Sequence, residues 1–161
     1  MATVPSTRSG YGIPSLIVFV MFAAAAAVFG GNFHPDGWFA ALAKPQWNPP
    51  HQLFAPLWTL LYVMMAVAGW RVWRATGRMV TALHVWGAQL ILNGLWPFMF
   101  FGLHRIDIAL VDISVLLVLI LGFIVTARRY SLLASWLFVP YAAWVGFATA
   151  VNVAIWRLSS G

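Results

Sequence analysis

Amide and aromatic side chains recur together, at helical spacing, inside two apolar stretches of this sequence. Asn93, Trp96 and Phe100 are spaced i, i+3 and i+7, so one face of a helix would carry an amide and two rings. The same pattern recurs later in the chain at Tyr141, Trp144, Ala148 and Asn152. Such faces fit the wall of a pocket for a large, flat, apolar ligand that carries a few polar groups.

A third aromatic wall is predicted from Trp58 and Tyr62, which are spaced i, i+4 and follow the stiff residues Pro49, Pro50 and Pro56. The alternative for each stripe is ordinary core packing, with the amides joining helix to helix as Asn and Gln commonly do in membranes. Three aromatic stripes that each carry a polar tip favour the pocket over simple packing.

Polar side chains also occur deep inside the predicted spans, where an unpaired polar group costs on the order of a few kcal/mol. They are Gln89, Asn93, Asp112 and Asn152. Each of them must therefore face protein or a cavity. We expect Asp112 to pair with an amide or a loop arginine, and the alternative is a functional carboxylate.

Motifs for metal binding or bond cleavage are scarce. The chain has no cysteine, which excludes disulfides, thiolate metal sites and cysteine nucleophiles. His34, His51, His84 and His104 show no metal-ligand spacing, so we predict no metal site, although His51 or His84 could ligate a haem iron. Hydrolase and nucleotide-binding motifs are not visible. The net charge of +6 is dispersed rather than gathered on one face, so no nucleic-acid partner is expected.

Membrane-spanning helices must position these residues. The 161 residues are 63% hydrophobic and 7% charged, which is too apolar for a soluble domain. Five apolar segments approach the roughly 20 residues that cross a bilayer. They cover about 12–31, 51–73, 80–101, 106–127 and 132–156. We therefore expect an all-α, multi-pass integral membrane protein with one five-helix domain over residues 1–161. For the first segment, a secretory signal peptide is the alternative.

Cations outside the apolar segments predict the orientation in the membrane. One side would carry Arg8, Arg71, Arg74, Arg78, Arg128 and Arg129, and the other side Lys44, Arg105 and Arg157. This excess places the N-terminus in the cytoplasm if the membrane is a bacterial inner membrane. The sequence does not determine whether the membrane is inner or outer.

The connection at about 32–50 is the long loop of the predicted bundle, and its Gly, Pro, Asn and Trp content fits an ordered cap. Trp38, Phe39 and Trp47 would lie near the membrane surface at the end of the bundle, where the loop would act as a lid. The alternative for each ring is a place in the interfacial aromatic belt.

Several motifs occur in a family-specific order: KPQWNPP at 44–50, APLWTLLYVM at 55–64, QLILNGLWPFMFFG at 89–102, ALVD at 109–112 and VPYAAWVGFATAVN at 139–152. They resemble the translocator protein family, whose bacterial members are called tryptophan-rich sensory proteins, or TspO. The likeness spans all five predicted helices. It implies a five-helix membrane bundle, often a homodimer, that binds porphyrins and haem.

The resemblance also implies the site residues. The pocket walls would be Trp58, Tyr62, Asn93, Trp96, Phe100, Trp144, Ala148 and Val151, beneath a lid that carries Trp38, Phe39 and Trp47. Porphyrin or haem would be a ligand, and no cofactor would be required. Cholesterol, a ligand of animal members, is not expected, because no Lys or Arg follows Tyr141 within five residues.

Two functions follow from this resemblance. The favoured one is a receptor, sensor or transporter that binds tetrapyrroles in the intrabundle pocket. The alternative is an enzyme that degrades porphyrin in light and oxygen, with Trp58 or Trp144 donating electrons to the excited macrocycle.

Overall fold

The computed structural model describes residues 12–159, and every regular element within them is a helix. The long helices are α1 (Ile13–Gly31), α3 (Phe54–Thr76), α4 (Thr81–Pro97), α5 (Ile106–Ala127) and α7 (Val139–Ser159). The short ones are α2 (Gly37–Ala41), α6 (Leu132–Leu137), a 3-10 turn at His51–Leu53 and a π-helix at Phe98–Gly102. Arg8, one of the cations that predicted the orientation, lies outside the described residues.

Four stretches of residues 12–159 are long and apolar enough to cross a membrane: Ile13–Gly31, His51–Thr76, Ile106–Ala127 and Leu132–Ser159. Their side chains mostly point away from the protein interior, and in α1 only 11% of the most apolar window is buried. In a bilayer these outward aliphatic side chains contact acyl chains, while the helices satisfy their own backbone groups. The chain is therefore a multi-pass integral membrane protein, as predicted.

Local signals set where several helices begin and end. α3 ends before Gly77, which has φ 60°, the left-handed conformation that glycine adopts most readily after a helix. Asp36 and Ser131 cap α2 and α6, because their side-chain oxygens accept hydrogen bonds from the backbone N–H groups of Phe39 and Ala134.

The segment predicted at about 80–101 is helical from residue 81 to residue 102, but its last turn is wide. The α-helical part ends at Pro97, whose ring nitrogen has no hydrogen to donate. Phe98–Gly102 then form the π-helix, and the N–H of Leu103 donates to the Phe98 carbonyl at 2.8 Å. A π-turn holds one more residue than an α-turn, so it shifts every later side chain around the helix axis.

The segment predicted at about 132–156 consists of two helices rather than one. α6 ends at Leu137 and α7 begins at Val139, with Phe138 between them. Pro140 has no N–H for the carbonyl of Trp136, so the α-helical hydrogen-bond ladder is interrupted at this point. The junction turns Phe138 inward, where it has no exposed surface.

The helices form a ring around a shared interior. α1 packs against α3 and α4, α4 against α5, α5 against α6 and α7, and α6 against α3. Near α6 the interior is filled, and the rings of Phe123 and Phe138 have centroids 4.0 Å apart. At the other end, rings such as Phe54 and Trp144, with centroids 5.7 Å apart, bridge α3 and α7. This second end leaves room for a cavity.

A close approach between α3 and α4 depends on glycine. The indole N–H of Trp86 donates to the carbonyl of Met65 at 2.9 Å, and the indole lies against Gly69. A Cβ at residue 69 would stand 2.7 Å from that ring and 2.8 Å from Cδ1 of Phe19. The missing side chain therefore lets the indole reach the α3 backbone.

Gly69→Ala should lower the stability of the protein by about 1–3 kcal/mol, because the added methyl group overlaps a rigid ring. Thermal unfolding of the purified protein in detergent measures this. Gly87→Ala on α4 is the control, since no atom lies within 4 Å of a Cβ at that position. The control should leave the unfolding temperature unchanged or raise it. Equal losses in the two variants would contradict the packing argument.

Candidate ligand-binding site

A cavity of about 390 Å³ lies inside the helix ring at the end that carries the loop between α1 and α3. Seven of the eleven predicted site residues line it: Phe39, Trp58, Tyr62, Asn93, Trp96, Trp144 and Ala148. They come from α2, α3, α4 and α7. The aromatic stripes predicted from spacing therefore converge on one chamber.

A smaller cleft of about 60 Å³ adjoins the cavity and shares several of its wall residues. Phe100 and Val151 line this cleft and not the larger cavity. The π-helix explains the position of Phe100, because the shift in register after Pro97 turns the next ring, Phe101, into the main cavity.

Trp38 and Trp47, the other two predicted residues, line neither space. Trp38 packs against Phe100, with ring centroids 5.9 Å apart, and stacks on His104, with ring centroids 4.3 Å apart. Trp47 is half exposed and packs against Phe147, with ring centroids 5.8 Å apart. Both rings support the loop, and Phe33 and Phe39 are the aromatic residues of this connection that reach the chamber.

The loop is folded around Lys44. The Lys44 ammonium donates to the carbonyl oxygens of Ala40 and Leu42 at 3.2 and 2.9 Å, and also to that of Phe39. It lies 4.6 Å from the centroid of the Phe39 ring, a cation–π contact. A single cation thus satisfies carbonyl groups at the end of α2 and holds the Phe39 ring in place.

Four polar side chains form a continuous hydrogen-bonded chain beside the cavity. The Tyr62 hydroxyl donates to Oδ1 of Asn93 at 2.5 Å, and Nδ2 of Asn93 donates to the Tyr141 hydroxyl at 2.6 Å. Tyr141 in turn donates to Oε1 of Gln89 at 2.9 Å. The chain joins α3, α4 and α7 and pairs the Asn93 amide at both ends.

A second polar link fixes the orientation of Trp96. Its indole N–H donates to Oδ1 of Asn152 at 3.1 Å, and Nδ2 of Asn152 donates to the Ile106 carbonyl at 3.3 Å. The Trp96 ring also stacks on Phe100, with centroids 5.0 Å apart. In contrast, the indole N–H of Trp144 is buried and has no hydrogen-bond partner within the described part of the chain.

All four polar residues predicted to face protein or a cavity are buried, with exposed fractions of 6% or less.

The expected pairing of Asp112 is wrong. Both of its carboxylate oxygens are buried without a hydrogen bond among residues 12–159. The expected donors are engaged elsewhere: the side-chain N–H groups of Gln89, Asn93 and Asn152 donate to Met65 Sδ, the Tyr141 hydroxyl and the Ile106 carbonyl. Arg105 donates to Asp107 at 2.6 and 2.9 Å.

The sequence interpretation missed the walls supplied by α1 and α5. Ala27 and Gly30 on α1, and Ile113 and Leu116 on α5, also line the cavity. A Cβ at Gly30 would lie 3.3 Å from the Pro97 ring, so α1 meets α4 closely there. The small residues of the first segment were a usable signal for this wall. Aliphatic residues in an apolar helix carry no such signal.

Two histidines of the loop region, His34 and His51, line the cavity as well. Sequence spacing gave no reason to group them, because 17 positions separate them. The loop brings both to the same chamber, beside the aromatic walls.

Comparison with known proteins adds an independent result. The model of the TspO/MBR family matches residues 16–157. The tryptophan-rich sensory protein of Cereibacter sphaeroides is 38% identical over 146 residues, which cover 89% of this chain and 90% of that protein. The human translocator protein is 35% identical over 150 residues, 89% of each chain. Protein CrtK of Rhodobacter capsulatus is 34% identical over 147 residues, 89% and 92% of the two chains.

Tyr141→Phe should destabilise the protein by about 1–3 kcal/mol, because it leaves the Asn93 amide and the Gln89 carbonyl buried with one partner fewer each. Thermal unfolding in detergent measures the loss. Tyr130→Phe removes a hydroxyl from an exposed residue and serves as the control. If both variants unfold at the temperature of the unaltered protein, the polar chain is not a stabilising element.

Proposed function

The chain belongs to the TspO/MBR family, and from this premise we propose that it is a membrane receptor, sensor or transporter that binds tetrapyrroles such as protoporphyrin IX and haem. The ligand would occupy the cavity inside the helix ring. The observation that carries the proposal is that indole rings from three helices, Trp58, Trp96 and Trp144, line one chamber. Flat aromatic walls recognise a flat macrocycle through stacking and dispersion contacts.

The size and polarity of the chamber support such a ligand. Its volume of about 390 Å³ lies within the range of pockets that hold drug-sized molecules. Asn48, His34 and His51 line it from the loop side, where they offer hydrogen-bond donors to the carboxylates of a porphyrin. The macrocycle would lie deeper, between the aromatic walls, and the buried N–H of Trp144 would be available to an acceptor on its rim.

The proposed architecture is a bundle of five spans with the loop between α1 and α3 as a lid. α4 has 17 residues and the π-helix adds five without a break, which gives a helical length of about 30 Å, enough to cross the hydrocarbon core. Phe39 reaches the cavity from α2 and would form the underside of the lid. A homodimer is proposed from the resemblance alone.

The names of the relatives support a binding role over catalysis. Two of them are called translocator protein and tryptophan-rich sensory protein, names that describe transport and sensing. The alternative prediction, porphyrin degradation in light and oxygen, gains no support from these names.

Trp144→Ala should weaken protoporphyrin IX binding about tenfold or more, because it removes one stacking wall and about 1–3 kcal/mol of aromatic contact. The dissociation constant is measured from the porphyrin absorbance change in lipid nanodiscs. Trp136→Ala is the matched control, since that indole is 63% exposed on α6. Equal dissociation constants for the two variants would reject the proposed pocket.

Ala148→Phe tests the same pocket by filling it. The added ring would occupy the space between Trp96 and Trp144, so the protein should fold normally but lose most porphyrin binding. Ala150→Phe places the same ring on the outer face of α7, where residue 150 is exposed, and should bind as the unaltered protein does. Full binding by Ala148→Phe would mean that the ligand sits elsewhere.

A further inference from the structure

The short helix α2 is joined to the connection between the π-helix and α5 through the carboxylate of Asp36. Oδ1 of Asp36 accepts the backbone N–H of Phe39 at 3.1 Å and so begins the helix. Oδ2 of the same side chain lies 3.1 Å from Nε2 of His104, in the connection between the π-helix and α5. Asp36 therefore caps α2 and ties it to a second loop at the same time.

His104 makes a second contact with the same segment. Its imidazole stacks on the Trp38 indole at 4.3 Å between centroids, with the two planes 19° apart. His104 also has φ 55°, and it is the non-glycine residue with positive φ among residues 12–159. A side chain in this left-handed region is disfavoured unless its surroundings hold it there. In this backbone conformation the His104 side chain contacts both Asp36 and Trp38.

The contacts of His104 lead directly to the ligand chamber. Trp38 meets Phe100 edge to face at 5.9 Å, and Phe100 stacks on Trp96, which forms part of the chamber wall. Phe39, the residue after Trp38, lines the chamber itself. Any change that weakens the contacts of His104 therefore affects two chamber residues, Phe39 on α2 and Trp96 on α4.

We propose that His104 is a positioning residue for the ligand site, and that protonation of its imidazole fastens α2 over the chamber and slows ligand release. A neutral imidazole donates one hydrogen bond to Asp36. A protonated one adds an ion pair with Asp36 and a cation–π contact with Trp38. Histidine is the side chain that ordinarily changes charge between pH 5 and 8. The inference rests on the proposed function, because it concerns release from the same chamber.

The partner carboxylate keeps its charge over this range. The pKa of Asp36 is held below its ordinary value, chiefly by the N–H of Phe39 and further by His104. A lowered pKa means that the ionised form persists as the pH falls, and that the contact is lost only when Asp36 itself takes up a proton.

The other charged groups at this end do not compete for His104. Arg105 and Asp107 pair with each other, and the Lys44 ammonium is bonded to backbone carbonyls. The remaining groups that can carry charge on the elements at this end are His34, His51 and Arg157. These three residues are not substituted in any of the variants described below.

Two substitutions remove the ion pair between Asp36 and His104 while keeping the local backbone structure. Asp36→Asn keeps an oxygen that can cap α2 but removes the charge. His104→Asn removes the imidazole, while Asn tolerates the left-handed backbone better than most residues. Arg105→Gln is the control, because it breaks a neighbouring exposed ion pair that does not touch α2.

Release of protoporphyrin IX from nanodiscs is followed by stopped-flow mixing with excess acceptor vesicles at pH 5.5 and pH 8. The unaltered protein and Arg105→Gln should release it about two- to fivefold more slowly at pH 5.5, the size that an exposed ion pair allows. Effects of pH on the porphyrin itself, and on His34 and His51 in the chamber, are common to all four proteins. The ratio of the release rate at pH 8 to that at pH 5.5 should therefore be about two- to fivefold smaller in Asp36→Asn and His104→Asn than in the unaltered protein. An unchanged ratio in Asp36→Asn, or a similar drop in Arg105→Gln, would overturn the proposal.

A second measurement is independent of the ligand. Hydrogen exchange of the α2 amides, corrected for the intrinsic pH dependence of exchange, should show more protection at pH 5.5 than at pH 8 in the unaltered protein and not in Asp36→Asn. If porphyrin does not bind but this protection pattern holds, the proposed ligand fails and the role of His104 stands. If porphyrin binds and protection does not change with pH, the role of His104 fails alone.

Discussion

Polar side chains inside a lipid-embedded helix must find partners within the protein, and in this chain that requirement ties three helices together. Tyr62 on α3, Asn93 and Gln89 on α4, and Tyr141 on α7 bond one another in sequence. Each bond has a fixed length and direction, whereas aliphatic packing tolerates sliding. The positions of the aromatic residues one or two turns away, including Trp58 and Trp144, follow from this arrangement.

The polar chain also marks a change in the character of the interior. Between this polar chain and α6, the interior of the helix bundle is filled by close-packed side chains such as Phe123 and Phe138. On the loop side, large rings face each other across empty space. Rings are stiff and bulky, so three of them on separate helices hold the walls apart where aliphatic side chains would collapse together. The same residues thus stabilise the bundle and keep its chamber open.

Much of the site could be predicted from the sequence, because helical spacing alone places Trp58, Trp96 and Trp144 on inward stripes. Other features depend on tertiary structure. That the Asp112 carboxylate has no hydrogen-bond partner among residues 12–159 could not be foreseen, since the expected amide and arginine donors bond to other groups. The wall from α5 was missed because aliphatic residues look alike whether they face lipid or a chamber. The small residues of the first segment were a signal for the α1 wall that was not used. The short helix α2 depends on local hydrogen bonds that hydropathy does not register. The break at Phe138, in contrast, lies where Pro140 interrupts the helical hydrogen bonds.

The wide turn after Pro97 acts as a one-residue insertion in an otherwise regular helix. Deleting a residue from this turn would let the α-helical ladder continue and rotate everything beyond it by about 100°. Phe101 would then leave the chamber wall, and the connection that carries His104 would point to a different flank of the bundle. The number of residues between 98 and 102 therefore determines both which ring enters the chamber and where His104 meets α2.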